Sequence, residues 1–212
     1  MFRQTYTFLL VALVCALPAS TAHAHRYELG ISLEPAIIAL PAVADQASKN
    51  TLAPAAGGGI ALEYYALEPL AIVVRGGYVQ AFGDSLIGEA TFSNRTGNYY
   101  FQQSAGYALA GLRLETPSLW LPVSFFVSGL GGVAVLSQTQ RQLLEEGTGR
   151  DFGLGLGDMV RPMPMITASI GISGRVTNQI RLNAEPAAFI FPLKPVVVGV
   201  GATIGITFLF YP

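Results

Sequence analysis

The sequence has little charge. Only 12% of its 212 residues are Asp, Glu, Lys or Arg, about half of the roughly 25% carried by an ordinary globular domain. A soluble surface for a chain of this size needs more, so the outside of the fold is expected to be largely apolar and to face a bilayer. An excess of one sign is missing as well. The 12 Lys and Arg stand against 13 Asp and Glu and are scattered along the chain, which leaves no basic stripe and argues against nucleic acid as a partner. Cysteine is absent after position 15: Cys15 lies in the apolar segment near the start, so no disulfide framework is possible beyond it. Val14 precedes it where a lipoprotein signal has a small residue, and lipidation is not expected.

Histidine is nearly absent, and this limits the chemistry. His25 alone follows the leader described below. A His-dependent catalytic triad at the far end of the fold would lack its base, and one histidine with scattered carboxylates has no metal-ligand spacing. The sequence therefore predicts no catalytic residue, no cofactor and no metal site. Gly147 to Gly157 is glycine-rich and ends in Phe152-Gly153-Leu154-Gly155-Leu156-Gly157, followed by Asp158. It lacks the Gly-Lys-Ser/Thr end of a phosphate-binding loop and does not open a helix after a strand, so it reads as a loop or a strand extension.

The first recognisable feature is a leader. Arg3, the apolar stretch Phe8 to Leu17, Pro18 and the small-residue sequence Ala22-His23-Ala24 have the order of a secretory signal peptide with an A-x-A cleavage site. Residues 1–24 are expected to be removed, leaving a domain of residues 25–212.

Beyond the leader the pattern is alternation. From Val196 to Phe210 one face reads Val196, Val198, Val200, Ala202, Ile204, Ile206, Phe208 and Phe210, and the other Val197, Gly199, Gly201, Thr203, Gly205, Thr207 and Leu209. A period of two separates these sets on a strand, while a helix would scatter both around its axis. Similar segments run over 27–35, 58–66, 70–82, 99–115, 121–136, 165–176 and 180–189. Together they predict an all-β fold: an eight-stranded antiparallel up-and-down transmembrane barrel. Tight turns at 67–69, 116–118 and 177–179 alternate with longer links at 36–57, 83–98 and 137–164 and a short one at 190–195. That parity suits short periplasmic turns, outer loops and both chain ends in the periplasm.

This register puts most charges on the face opposite the apolar one. Glu28, Glu34, Glu63, Glu115 and Glu185 stand there with Arg75, Arg113, Arg175 and Arg181. An eight-stranded barrel has an interior just wide enough for side chains, so these groups are expected to pair as an interior network that leaves no wide channel. Arg113, Glu115, Arg175 and Arg181 have an alternative place at the periplasmic rim. Tyr27, Tyr64, Trp120 and Phe210 are expected in one aromatic belt, and Tyr78, Phe82, Tyr99, Tyr100 and Phe101 in the other. Gln138 to Gln142 with Glu145-Glu146 reads as a solvated loop.

The leader, the strand pattern and the terminal Val196–Phe210 segment resemble the eight-stranded outer-membrane barrel families related to the OmpA transmembrane domain, OmpX and OmpW. The resemblance covers the whole chain after the leader. It implies outer-membrane lipid as the surroundings, a monomer, and delivery by periplasmic chaperones to the barrel-assembly machinery. That machinery reads an aromatic residue ending the last strand; Phe208 and Phe210 fit, although Tyr211-Pro212 follow. No segment remains after the barrel for a peptidoglycan-binding domain of the OmpA kind. The functional expectation is a non-enzymatic barrel with a structural or surface-interaction role through its outer loops. The alternative is a narrow, OmpW-like path for small or apolar solutes, with Val79, Ala81, Leu130 and Ala134 lining its upper half.

Overall fold

A computed structural model describes residues 28–42, 51–67, 69–116, 123–193 and 196–210. The leader, His25, Tyr27, Trp120 and the last two residues lie outside them. Among the described residues nine strands follow one another: β1 (Glu28–Ala42), β2 (Thr51–Leu67), β3 (Leu70–Ala81), β4 (Ser85–Phe92), β5 (Arg95–Glu115), β6 (Val123–Leu144), β7 (Met159–Arg175), β8 (Ile180–Phe191) and β9 (Val197–Phe210). Every pairing is between antiparallel neighbours, β1 pairs with β9, and β3 reaches past β4 to pair with β5. The ring therefore closes through eight strands. β4 stands outside it, as the upward continuation of β3 against the first rungs of β5.

Closure matters because it leaves no open sheet edge within the wall. The alternation then sorts side chains between the two surfaces. On β9, Val198, Val200, Ile204, Ile206, Phe208 and Phe210 are exposed while Thr203, Thr207 and Leu209 are buried. Leu33, Ile60, Val74, Leu112, Val127, Ile170 and Leu182 continue the same apolar outer surface around the ring. No helix long and apolar enough to cross a membrane occurs among the described residues; the strands carry the apolar surface instead.

The strands are longer than the sequence pattern suggests, and the links at 36–57, 83–98 and 137–164 are correspondingly shorter. β1 and β2 continue to Ala42 and from Thr51, and β6 and β7 continue to Leu144 and from Met159. Proline interrupts the pattern on β1, β2 and β7, and the polar run Ser137–Gln142 interrupts it on β6. Pro162 and Pro164 pair with Val135 and Val133 on β6, above the last rung to β8 at Ile166↔Ile190. Their missing N–H groups can face an open side, where a strand tolerates them. Pro35 and Pro186 sit deeper and show their cost: the β1–β9 rungs skip from Leu33↔Ile206 to Ala36↔Thr203, and the β7–β8 rungs from Ser169↔Ala187 to Ile172↔Ala184. Most of the 83–98 link is the β4–β5 hairpin. Its turn residues Ser93 and Asn94 have φ of 49° and 63°, as a two-residue type I′ turn demands.

The wall has unequal height. β6 has 22 residues and β5 has 21, against 12 in β8; at about 3.3 Å per residue this is about 70 Å of strand against about 40 Å. About 9–11 residues suffice to span a bilayer, so β4, β5 and β6 rise well above the apolar band at the end that carries the longer links. On β6 the outward side chains change from Val133 and Val135 to Gln140 and Gln142.

Candidate functional site

The inward faces of the strands bring the charged residues together in the half of the barrel nearer the tight turns. Arg75, from β3, lies between two carboxylates: its Nε is 2.8 Å from Glu34 Oε2 and its Nη2 donates to Glu185 Oε2 at 2.6 Å. Glu185 Oε1 also accepts from Ser169 Oγ at 2.5 Å and Ser128 Oγ at 3.1 Å. Nearer the turns, Glu63 receives Arg113 on one oxygen and Arg181 on the other. Arg181 Nη1 donates to Tyr65 Oη at 2.6 Å, Tyr65 donates to Glu115 Oε2 at 2.7 Å, and Ser173 donates to Glu115 Oε1 at 2.5 Å. At the end itself Arg175 Nη2 lies 2.8 Å from Glu28 Oε2, with 30% of the arginine side chain exposed.

Glu28, Glu34, Glu63, Arg75, Arg113, Arg181 and Glu185 are thus buried, and Glu115 and Arg175 are partly so. Shared carboxylates offset the desolvation of two or three ions at once, which isolated pairs do less well. Arg113 shows a different solution for its remaining surface. Its Nε and Nη2 have no hydrogen-bond partner, and the guanidinium carbon lies 3.4 Å from the centre of the Phe126 ring, where the electron-rich face receives the cation. Phe126 fits there because Gly171 carries no side chain; a Cβ on that glycine would overlap the ring.

Tyr65, Ser128, Ser169 and Ser173 complete the network and were not singled out in the sequence. Their signal was positional, since each stands at the same parity as an inward charge on its own strand or lies across a rung from one. Tyr107 reaches inward over Gly59 and Gly77, with its hydroxyl in the space that a Cβ on either would take.

The other half of the interior is apolar. Ile38, Leu40, Val79, Leu109, Leu130, Leu136, Met163, Met165, Phe189 and Phe191 are buried there among alanines that include Ala81 and Ala134. Above them a polar row crosses the lumen. Gln103 Nε2 donates to the Pro41 carbonyl at 3.0 Å, Gln138 Nε2 to Gln103 Oε1 at 3.3 Å, and Tyr99 Oη to Gln138 Oε1 at 3.1 Å.

At the tall end Ala42, Ile87, Ala90, Tyr99, Phe101 and Leu143 form a second cluster, covered by Phe92, Phe152, Leu154 and Leu156. Tyr99 and Phe101, expected in an aromatic belt, are instead buried at 0% and 1% exposure. They point inward on β5, at the parity of Ala105 and Leu109, and stack at 4.7 Å between ring centres. Tyr78 and Phe82 do face outward. Phe208 and Phe210 are exposed on the outer face at the tight-turn end, opposite Ile31 and Leu29. No metal-binding group of His, Cys, Asp and Glu occurs among the described residues.

No protein-family model matches the chain, and no curated protein is similar to it in sequence. Solved structures are similar in shape. Neisserial surface protein A shares 13% identity over 89% of this chain and 100% of that one, with a TM-score of 0.55. Ail, the attachment invasion locus protein of Yersinia pestis, shares 12% identity over 87% of this chain and 99% of its own, with a TM-score of 0.52. At such identity the likeness is one of fold: the chain has the eight-stranded antiparallel up-and-down fold of a transmembrane β-barrel.

Proposed function

We propose that the protein is a non-enzymatic integral outer-membrane barrel, with its chain ends in the periplasm, that works as a structural or surface-interaction element through its tall outer end. The observation that carries this reading is the ionic network filling the periplasmic half of the lumen, from Glu28–Arg175 to the Glu34–Arg75–Glu185 centre. Moving any of these groups aside leaves a partner charge buried and unpaired, at about 3–5 kcal/mol. Such a plug resists opening for a passing solute. The rise of β4, β5 and β6 beyond the apolar band supports the second part, because that height serves no need of spanning a bilayer.

The apolar upper lumen favours a second reading, an OmpW-like path for apolar solutes that leaves the barrel sideways above the plug. Flux separates the two. Proteoliposomes holding the mature chain are placed in iso-osmotic arabinose and, separately, assayed for uptake of a small aromatic hydrocarbon. The plugged reading expects neither to exceed empty liposomes. Hydrocarbon uptake alone would support the lateral path, and sugar-driven swelling would overturn both.

A further inference from the structure

β6 contains one irregularity, and it aims a cation. The β5–β6 register shifts between Tyr100↔Gln142 and Gln102↔Thr139, so Gln140 and Arg141 together oppose Phe101. Gln140 takes φ of 50°, a conformation that costs a non-glycine residue energy and is retained where something depends on it. Its effect is to reverse parity. Leu136 and Gln138 point inward below the bulge, and Arg141 and Leu143 point inward above it. Arg141 thereby enters the mouth of the barrel.

Among the described residues, the partners it meets there are neutral. Arg141 Nε donates to Tyr99 Oη at 2.5 Å and Nη1 to the Gly157 carbonyl at 2.7 Å, while the guanidinium carbon lies 5.6 Å and 5.9 Å from the ring centres of Tyr99 and Phe92. None of the nearby acids of the covering link forms an ion pair with it: Glu145 accepts from Thr148, and Asp151 accepts from the Gly153 amide. A guanidinium is matched best by a carboxylate, which can accept two parallel N–H bonds and carries the opposite charge, and Arg141 has neither here. The segment over it has an unusual form too. Gly153 and Gly155 have φ of 63° and 55°, and alternating with them Phe152, Leu154 and Leu156 lay apolar side chains on the Tyr99–Phe101–Leu143 cluster.

We propose that this mouth is a binding site for an amphipathic carboxylate with a medium-length acyl tail, and that the 152–157 strap occupies it as the chain's own stand-in. The Gly157 carbonyl takes the place of the ligand's carboxylate on Arg141. Leu156, Leu154 and Phe152 take the place of the tail. The strap is held by these apolar contacts, by Arg95 over the Phe152 ring and by the Phe152 N–H to the Leu143 carbonyl, while Gly153, Gly155 and Gly157 add no side chain that would resist its leaving. The proposal rests on the reading of the tall end as the working end; a solute-permeable lumen would overturn that reading without bearing on Arg141.

The test uses the mature chain in lipid nanodiscs with 15N-glycine, titrated with decanoate, with decyltrimethylammonium of equal tail length, and with acetate. The expected result is saturable movement of the Gly153, Gly155 and Gly157 amides with decanoate. Acetate should act only at far higher concentration and the cationic amphiphile not at all. Arg141→Gln should weaken decanoate about tenfold, the scale of one charge-assisted contact, and Gly155→Ala, which strains the strap, should tighten it. Equal responses to both amphiphiles, no response, or an unchanged affinity in Arg141→Gln would overturn the site. An unchanged affinity in Gly155→Ala would overturn the stand-in role of the strap.

Discussion

The two halves of the lumen share one wall and solve the problem of filling it in opposite ways. The half near the tight turns is filled by few, long, charged side chains that share partners. The tall half is filled by alanines, branched aliphatic residues, methionines and, at its mouth, stacked aromatics. The first arrangement is specific and brittle, since each ion depends on named others. The second is tolerant, because apolar fillers can shift and repack at low cost. A molecule built this way keeps one end rigid and leaves change to the other.

That contrast can be broken most severely at Arg75. Arg75→Met leaves Glu34 and Glu185 buried together without their cation and is expected to cost about 3–5 kcal/mol, read as a lower urea midpoint for loss of the folded, faster-migrating gel band in vesicles. Adding Glu34→Gln and Glu185→Gln should recover most of that loss. If Arg75→Met alone is silent, the brittle half is not brittle.

The outer surface offers a reference that belongs to neither half. Ile204, 64% exposed on β9, should cost about 2–4 kcal/mol as Ile204→Arg if it faces lipid near mid-membrane, measured in the same assay. The glycines sharpen the comparison further. A Cβ at Gly77 would collide with the Tyr107 hydroxyl, whereas one at Gly129 meets nothing within 4 Å. Gly77→Ala should therefore lose about 1–3 kcal/mol, as overpacking does, and Gly129→Ala should be near neutral. The smallest effect is expected at the mouth. Arg141→Gln should change stability by less than about 1 kcal/mol, because its partners are neutral and can accept from the amide, yet it should speed trypsin cleavage after Arg150 by loosening the strap.

How much of this was readable beforehand follows from parity. Where a strand runs without interruption, as β9 and β5 do, alternation alone separates Thr203 and Thr207 from Ile204 and Ile206, and it groups the charges from Glu28 to Glu185 on one face. Parity fails where the backbone breaks step. Arg141 reads as an outward residue of a polar loop when counted from Leu136, and only the bulge at Gln140 turns it inward. Prolines misled in the other direction. They are ordinary marks of a strand end, but Pro41, Pro162 and Pro164 lie beyond the last rungs to one neighbour and the strands continue through them. Tyr99 and Phe101 were misplaced because aromatics suit an interfacial belt and a closed mouth equally well.

Whether the ionic half seals the lumen is read from electrical current. In planar bilayers residues 25–212 are predicted to show no unitary conductance. Stable unitary currents through the unaltered chain would mean that the ionic network does not seal the lumen.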